Sequence, residues 1–317
     1  MNSKRANRLF LSIILIDLTF QVLVYVLFFG FGRSLEIGAF ANLAISQLML
    51  FGPALICLIL SRRNAEQKIK LSDQLGFHKI KLSSFFMIIL YTLLITPMST
   101  VLNAISMLFA ENAVDALSES IIMMPFPVMF FMIAMFGPFS EEFVFRGVIY
   151  NGYKNSSSVL RAVICSALLF GLMHLNFNQA VYAIAIGIMF ALLVEATGSL
   201  WASVTAHMLF NMPSVFTLYL RPEESADMVL TNDNLIMIIG PYLIVAVVCT
   251  ALAWCVLVWL AKNEGREEQF GSIWARRKEK KEKLTSVPLI IAIIICLLLM
   301  SMEWILPLLL PFLYGWS

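Results

Sequence analysis

Apolar runs long enough to cross a hydrocarbon core of roughly 30 Å, which takes about 20 helical residues, recur along the whole chain. Short polar segments separate them. Nine candidate spans result: Leu9 to Gly30, Phe40 to Leu60, Ser83 to Phe109, Ile121 to Tyr153, Val159 to His174, Ala180 to Ala196, Leu200 to Leu220, Leu235 to Ala261, and Val287 to about Glu303 or beyond. The pattern predicts an all-α, polytopic transmembrane bundle of eight or nine spans, with residues 1–317 forming one membrane domain and no stretch left over for a soluble one. Gly137-Pro138 is a candidate break in the long fourth run, because proline removes a backbone donor. A last span ending near Glu303 leaves Trp304 to Trp316, with Pro307 and Pro311, as an interfacial segment.

Composition agrees with the pattern: 60% of the 317 residues are hydrophobic and 13% charged, at a mean hydropathy of +0.87. These values exclude an ordinary soluble domain. Charge adds an orientation. Nineteen of the 22 lysines and arginines fall on one side: Lys4, Arg5, Arg8, those from Arg62 to Lys81, Lys154, Arg161, and those from Lys262 to Lys283. The opposite loops hold Arg33 and Arg221 among Glu36, Glu111, Asp115, Glu119, Glu223, Glu224, Asp227 and Asp233. The positive-inside rule therefore sets the N-terminus in the cytoplasm, and the basic loops suit anionic lipid headgroups rather than nucleic acid. The first run exceeds 20 residues and lacks a small-x-small cleavage site, so it reads as a retained anchor. The five cysteines lie in apolar spans without metal-type spacing and read as packing residues, with no disulfide expected. The Arg276 to Lys283 charge run reads as a solvated linker.

An ionisable side chain at membrane depth costs at least a few kcal/mol on insertion scales, so each one needs a partner or a purpose. Within the stretch Gly137 to Gly147, Glu142 and Arg146 stand four apart on one helical face and can pair. Glu141 is turned about 100° away and is left available for chemistry. His174 ends the fifth run four residues after Phe170. His207 and Asn211, again four apart, project from one face of the seventh. Counted at 1.5 Å per residue, Glu141 and His174 lie roughly 18 and 20 Å from the cytoplasmic end and the His207 pair roughly 10–17 Å, so one shared intramembrane cavity is possible. Of the other polar residues, Asp17 with Gln21 is expected to face the bundle interior and bond a neighbouring helix, Glu195 to snorkel at the inner interface, and His78 to sit at the surface.

Together the motifs Glu141-Glu142 with Arg146, Phe170 with His174, and His207 with Asn211 resemble those of the CPBP family (CAAX protease and bacteriocin processing, also called Abi). The flanks Phe145-Arg146-Gly147 and Thr197-Gly198-Ser199-Leu200-Trp201-Ala202 are similar too. The resemblance covers about Phe136 to Pro213, with a catalytic core of about 121–220. It implies an intramembrane endopeptidase that hydrolyses a peptide bond of a membrane-associated protein or peptide. Glu141 and His174 would activate water, His207 and Asn211 would hold the oxyanion, and Glu142 with Arg146 would be structural. No cofactor is favoured; zinc held by two histidines and a carboxylate is the alternative, against which stand the lack of a His-Glu-x-x-His pair and the poor ligand character of Asn211. The alternative function is a catalytically idle membrane scaffold that regulates a partner such as a sensor kinase. A proton-coupled carrier ranks third, since no paired broken helices or repeated hydropathy unit is visible. Short loops suit a bacterial plasma membrane.

Overall fold

The computed structural model describes residues 1–31, 38–63, 70–110, 121–220, 232–278 and 283–314, with the backbone alone at 28–31, 232–238, 303 and 306–314. The residues of the acidic loops opposite the basic ones, Arg33, Glu36, Glu111, Asp115, Glu119, Arg221, Glu223, Glu224 and Asp227, lie outside the described residues, as do Lys68, Lys280, Lys281 and Trp316; Asp233 is described in backbone only. The described residues are predominantly helical, without strands.

The order is α1 (Ser3–Phe31), α2 (Ala39–Arg63), a short α3 (Leu71–Leu75), α4 (Leu82–Ser106), a composite α5 (Phe126–Ser156), α6 (Val159–Met173), α7 (Phe177–Thr197), α8 (Leu200–Leu220), α9 (Asn232–Asn263), a short α10 (Glu267–Gly271), a 3-10 turn (Ala275–Lys278) and α11 (Val287–Tyr314). Among the described residues, α1, α2, α4, α5, α7 and α9 are long and apolar enough to cross a membrane, and α6 and α11 hold shorter apolar stretches. The chain is an integral membrane protein. Helix α8 falls short of that apolarity although the sequence marks it as a span; it carries Thr205, His207, Asn211 and Ser214. Large apolar side chains cover the perimeter, Ile244 at 69% and Val247 at 62% exposed on α9 among them, as a lipid-facing surface requires.

Two expected interruptions are absent. Helix α5 runs through Gly137-Pro138 without a break, because the chain widens into π-helix over Phe130–Phe136 and again over Phe143–Tyr150, with one α-helical turn, Gly137–Glu142, between them. The Gly137 N–H reaches the Met132 carbonyl five residues back, and the wider turn relieves the clash a proline ring makes with an α-helical carbonyl. A Cβ at Gly137 would stand 3.0 Å from that same carbonyl, which favours glycine there. Helix α11 likewise continues past Glu303 to Tyr314 through Pro307 and Pro311, so the described residues 304–314 prolong the last helix instead of leaving it. In an apolar medium the backbone finds no partners outside the helix, which outweighs the donor lost at each proline.

The segments grouped by their basic charge do lie at one end of the bundle. Ser3 N–H donates to Ser156 Oγ at 3.0 Å. Asn7 Nδ2 donates to the Leu284 carbonyl at 2.8 Å and Asn7 Oδ1 accepts from the Tyr153 hydroxyl, tying the starts of α1 and α11 to the end of α5. The Lys81 N–H donates to Glu264, and Leu200 N–H to the Gly76 carbonyl. Glu195 does not snorkel. It is 3% exposed, paired with Lys154 and 3.8 Å from Arg266 Nη2, so cations from two neighbouring segments compensate its burial. His78 is exposed, as expected. Cys296 is buried among packing residues, whereas Cys255 is exposed.

Candidate active site

Arg146 is the largest fully buried side chain of the described residues, and its surroundings organise the site. Its Nη1 donates to Glu142 Oε1 at 2.7 Å, its Nη2 to the Gly187 carbonyl of α7 at 3.1 Å, and its guanidinium carbon lies 4.3 Å from the centre of the Phe170 ring. A Cβ at Gly187 would come within 3.1 Å of Ala167 and 3.3 Å of Arg146 Nη2, so glycine there lets α6, α7 and the guanidinium close on one another. Glu142 is entirely buried, and the same Oε1 accepts from His207 Nδ1 of α8 at 2.9 Å. One carboxylate oxygen thus takes two bonds, one from Arg146 within α5 and one from His207 that joins α5 to α8.

With Nδ1–H spent on Glu142, the His207 ring turns Nε2 towards Glu141, whose Oε2 is 3.7 Å away. Glu141, 17% exposed at its side chain, is the accessible carboxylate of the two. His174 caps the end of α6 and its Nδ1 lies 2.8 Å from the Phe170 carbonyl; donation there leaves Nε2 as the lone-pair nitrogen. Phe170 therefore does more than complete a spacing: its ring stands perpendicular to both imidazoles, with centres 5.1 Å from His174 and 5.9 Å from His207, while its face receives Arg146. Beside it, Gly171 admits α7 so closely that a Cβ would lie 2.4 Å from Ile184 Cγ1 and 2.9 Å from the Ala180 carbonyl. Leu175, at φ 52°, turns the chain sharply after His174, and Asn176 then caps α7 by accepting from Gln179 N–H.

Asn211 owes its position to Pro138. The π turn sends the Gly137 N–H to Met132, and Pro138 has no N–H to offer, so the Ile133 carbonyl is left for a side chain. Asn211 Nδ2 donates to it at 3.2 Å, which commits one amide hydrogen and leaves the other.

Glu141, His174, His207 and Asn211 all line one cavity of about 410 Å³. The sequence expectation built that cavity from three spans, but two more contribute. Helix α4 adds Thr96, Ser99, Thr100 and Asn103, and α7 adds Gln179 and Tyr182. The α4 residues recur at helical spacing in an otherwise apolar run, a stripe that was readable in the sequence. Two smaller cavities, of about 140 and 250 Å³, also reach Glu141. The first is lined by Asp17, Ser46 and Gln47. Asp17 thus faces a cavity, and its hydrogen bond is to Gln21 of its own helix at 2.7 Å rather than to a neighbour, because the space between α1 and α2 at this level is open.

A zinc ion would need three protein ligands converging on one point. Among the described residues no three His, Cys, Asp or Glu side chains are so grouped.

Fold and site define a polytopic α-helical membrane protein with two carboxylates, two imidazoles and a carboxamide gathered inside the bundle. Residues 123–213 match the family model described as type II CAAX prenyl endopeptidase Rce1-like. The chain is 27% identical over 190 residues to the membrane-embedded CAAX protease MroQ of Staphylococcus aureus (strain USA300), an overlap of 56% of this chain and 74% of that protein. It is 28% identical over 85 residues to YdiL of Bacillus subtilis (strain 168), which is 27% of this chain and spans 35% of that relative's length. No solved structure matches the chain. These matches support the resemblance to the CPBP family over residues 123–213.

Proposed function

We propose that the protein is an intramembrane endopeptidase of a bacterial plasma membrane that hydrolyses a peptide bond of a membrane-associated protein or peptide, as a glutamate peptidase without metal. The convergence of Glu141, His174, His207 and Asn211 on one cavity carries this reading. In it, Glu141 takes a proton from a water that His174 Nε2 also holds, and the hydroxide attacks the scissile carbonyl carbon. The carbonyl oxygen becomes an oxyanion that accepts from the uncommitted Asn211 N–H and from Nε2–H of a doubly protonated His207, whose other nitrogen stays on Glu142. Glu141 then returns its proton to the leaving amine as the C–N bond breaks. One water is consumed, and one carboxylate and one amine are formed. Glu142 and Arg146 position the ring of His207 and touch no substrate.

The bacterial origin of both relatives supports the location, and the name of one supports proteolysis. The test compares peptide termini, by mass spectrometry of membranes and medium, between cells expressing wild-type protein and Glu141→Gln at matched levels. Specific termini that vanish with the substitution support the peptidase and name its substrate. Identical profiles, combined with a phenotype on deleting the protein, refute it in favour of a scaffold for another membrane protein. With a substrate in hand, activity in purified membranes should survive chelation; loss that added zinc restores would overturn the metal-free part.

A further inference from the structure

A second polar cavity, of about 190 Å³, lies at the basic end of the bundle, away from the cavity that holds Glu141. It is lined by Lys154 of α5, Arg266, and Arg276 of the 3-10 turn, with Glu195 as the one carboxylate among these cations. Its wall also includes Ser157 and Ser158, which precede the first residue of the 15-residue helix α6. Both serines are buried, at 2% and 5% exposure, and both hydroxyls lack a hydrogen-bond partner. A serine at this position ordinarily caps its helix by accepting from an N–H of the first turn. Ser158 makes no such bond. The first turn of α6 is therefore uncapped by its own side chain, and its N–H groups have no carbonyl within the helix.

Two idle buried hydroxyls, an uncapped helix N-terminus and a majority of cations form the complement of an oxyanion with several acceptor atoms. We propose that this cavity binds a phosphate group. Lys154 and Arg266 are held in place by Glu195, with Arg266 Nε also donating to the Glu195 carbonyl at 2.8 Å, so the site is built before a ligand arrives. The volume exceeds many-fold the roughly 10–15 Å³ that admits one water. Trp274, 66% exposed and beneath Arg277 at 4.9 Å, lies in the segment that supplies Arg276; an aromatic of this kind suits headgroup level. The phosphate has two possible sources, the headgroup of an anionic phospholipid and free phosphate.

The test uses the full chain purified in a neutral detergent. One arm measures retention of phosphatidylglycerol against phosphatidylcholine by native mass spectrometry. The other measures the rise in Tm with inorganic phosphate against chloride at matched ionic strength. Wild-type protein is compared with Ser157→Ala/Ser158→Ala and with Arg276→Gln. Each lost hydrogen bond to a charged group should weaken binding about tenfold. Without ligand the serine variant should melt within about 2 °C of wild type, since neither hydroxyl bonds to protein. Preferential phosphatidylglycerol retention that both variants lose assigns the lipid source, and a phosphate-dependent Tm rise that both lose assigns the free ion. No selectivity in either arm, or binding that both variants retain, overturns the proposal and leaves a water-filled crevice.

Discussion

Replacing Arg146 by methionine tests the central electrostatic claim. The side chain is 1% exposed and its partner Glu142 entirely buried, so the substitution removes the cation and leaves a carboxylate inside the bundle with His207 as its remaining ion-pair partner. Breaking a buried pair in this way costs about 3–5 kcal/mol. The bond to the Gly187 carbonyl and the stacking on Phe170 are lost as well, so the upper part of the range applies. Against a total stability of roughly 5–15 kcal/mol, this lowers Tm by on the order of 10 °C. The double variant Glu142→Leu/Arg146→Met removes both charges and should recover to within about 1–2 kcal/mol of wild type. It should still lack proteolysis, because the Nδ1 anchor of His207 is gone. The assay is thermal unfolding in mixed micelles at fixed detergent ratio, alongside the terminus profile. An Arg146→Met loss below about 1 kcal/mol, or a double variant as unstable as the single one, would refute the reasoning.

Three further outcomes are expected. Asn211→Leu should lower kcat roughly 10²–10³-fold with KM little changed, as loss of one oxyanion donor does; an equal loss confined to KM would move Asn211 to substrate binding. Pro138→Ala restores a backbone N–H that can compete for the Ile133 carbonyl, so Tm should hold or rise while activity falls; unchanged activity would show that the Asn211 anchor is dispensable. Gly171→Ala drives a Cβ against the Ala180 backbone at the α6–α7 crossing, and a loss of about 1–3 kcal/mol should appear as a lower Tm; an unchanged Tm would mean the crossing can relax.

Much of this protein is legible along the chain. Apolar runs decide the helices, since a backbone in hydrocarbon must satisfy itself, and the lysines and arginines decide which ends gather together. The pairing of Glu142 with Arg146 and of His207 with Asn211 on single faces follows from a four-residue spacing, and the first became an ion pair at 2.7 Å. Spacing along one helix says nothing about partners on another. That His207 reaches Glu142 across 65 residues, that Phe170 serves both imidazoles and the guanidinium, and that α4 and α7 line the cavity are decisions of packing. The course of α5 is of the same kind: sequence marks Gly137-Pro138 as a break, but the bundle keeps the helix and widens its turns. The carbonyl this strands at Ile133 is the one Asn211 then takes. Local sequence determined which groups could not remain alone in an apolar medium. Only the tertiary structure decided which neighbour each would find, because burial makes an unpaired polar group costly but leaves the choice of partner to whichever helix comes close enough.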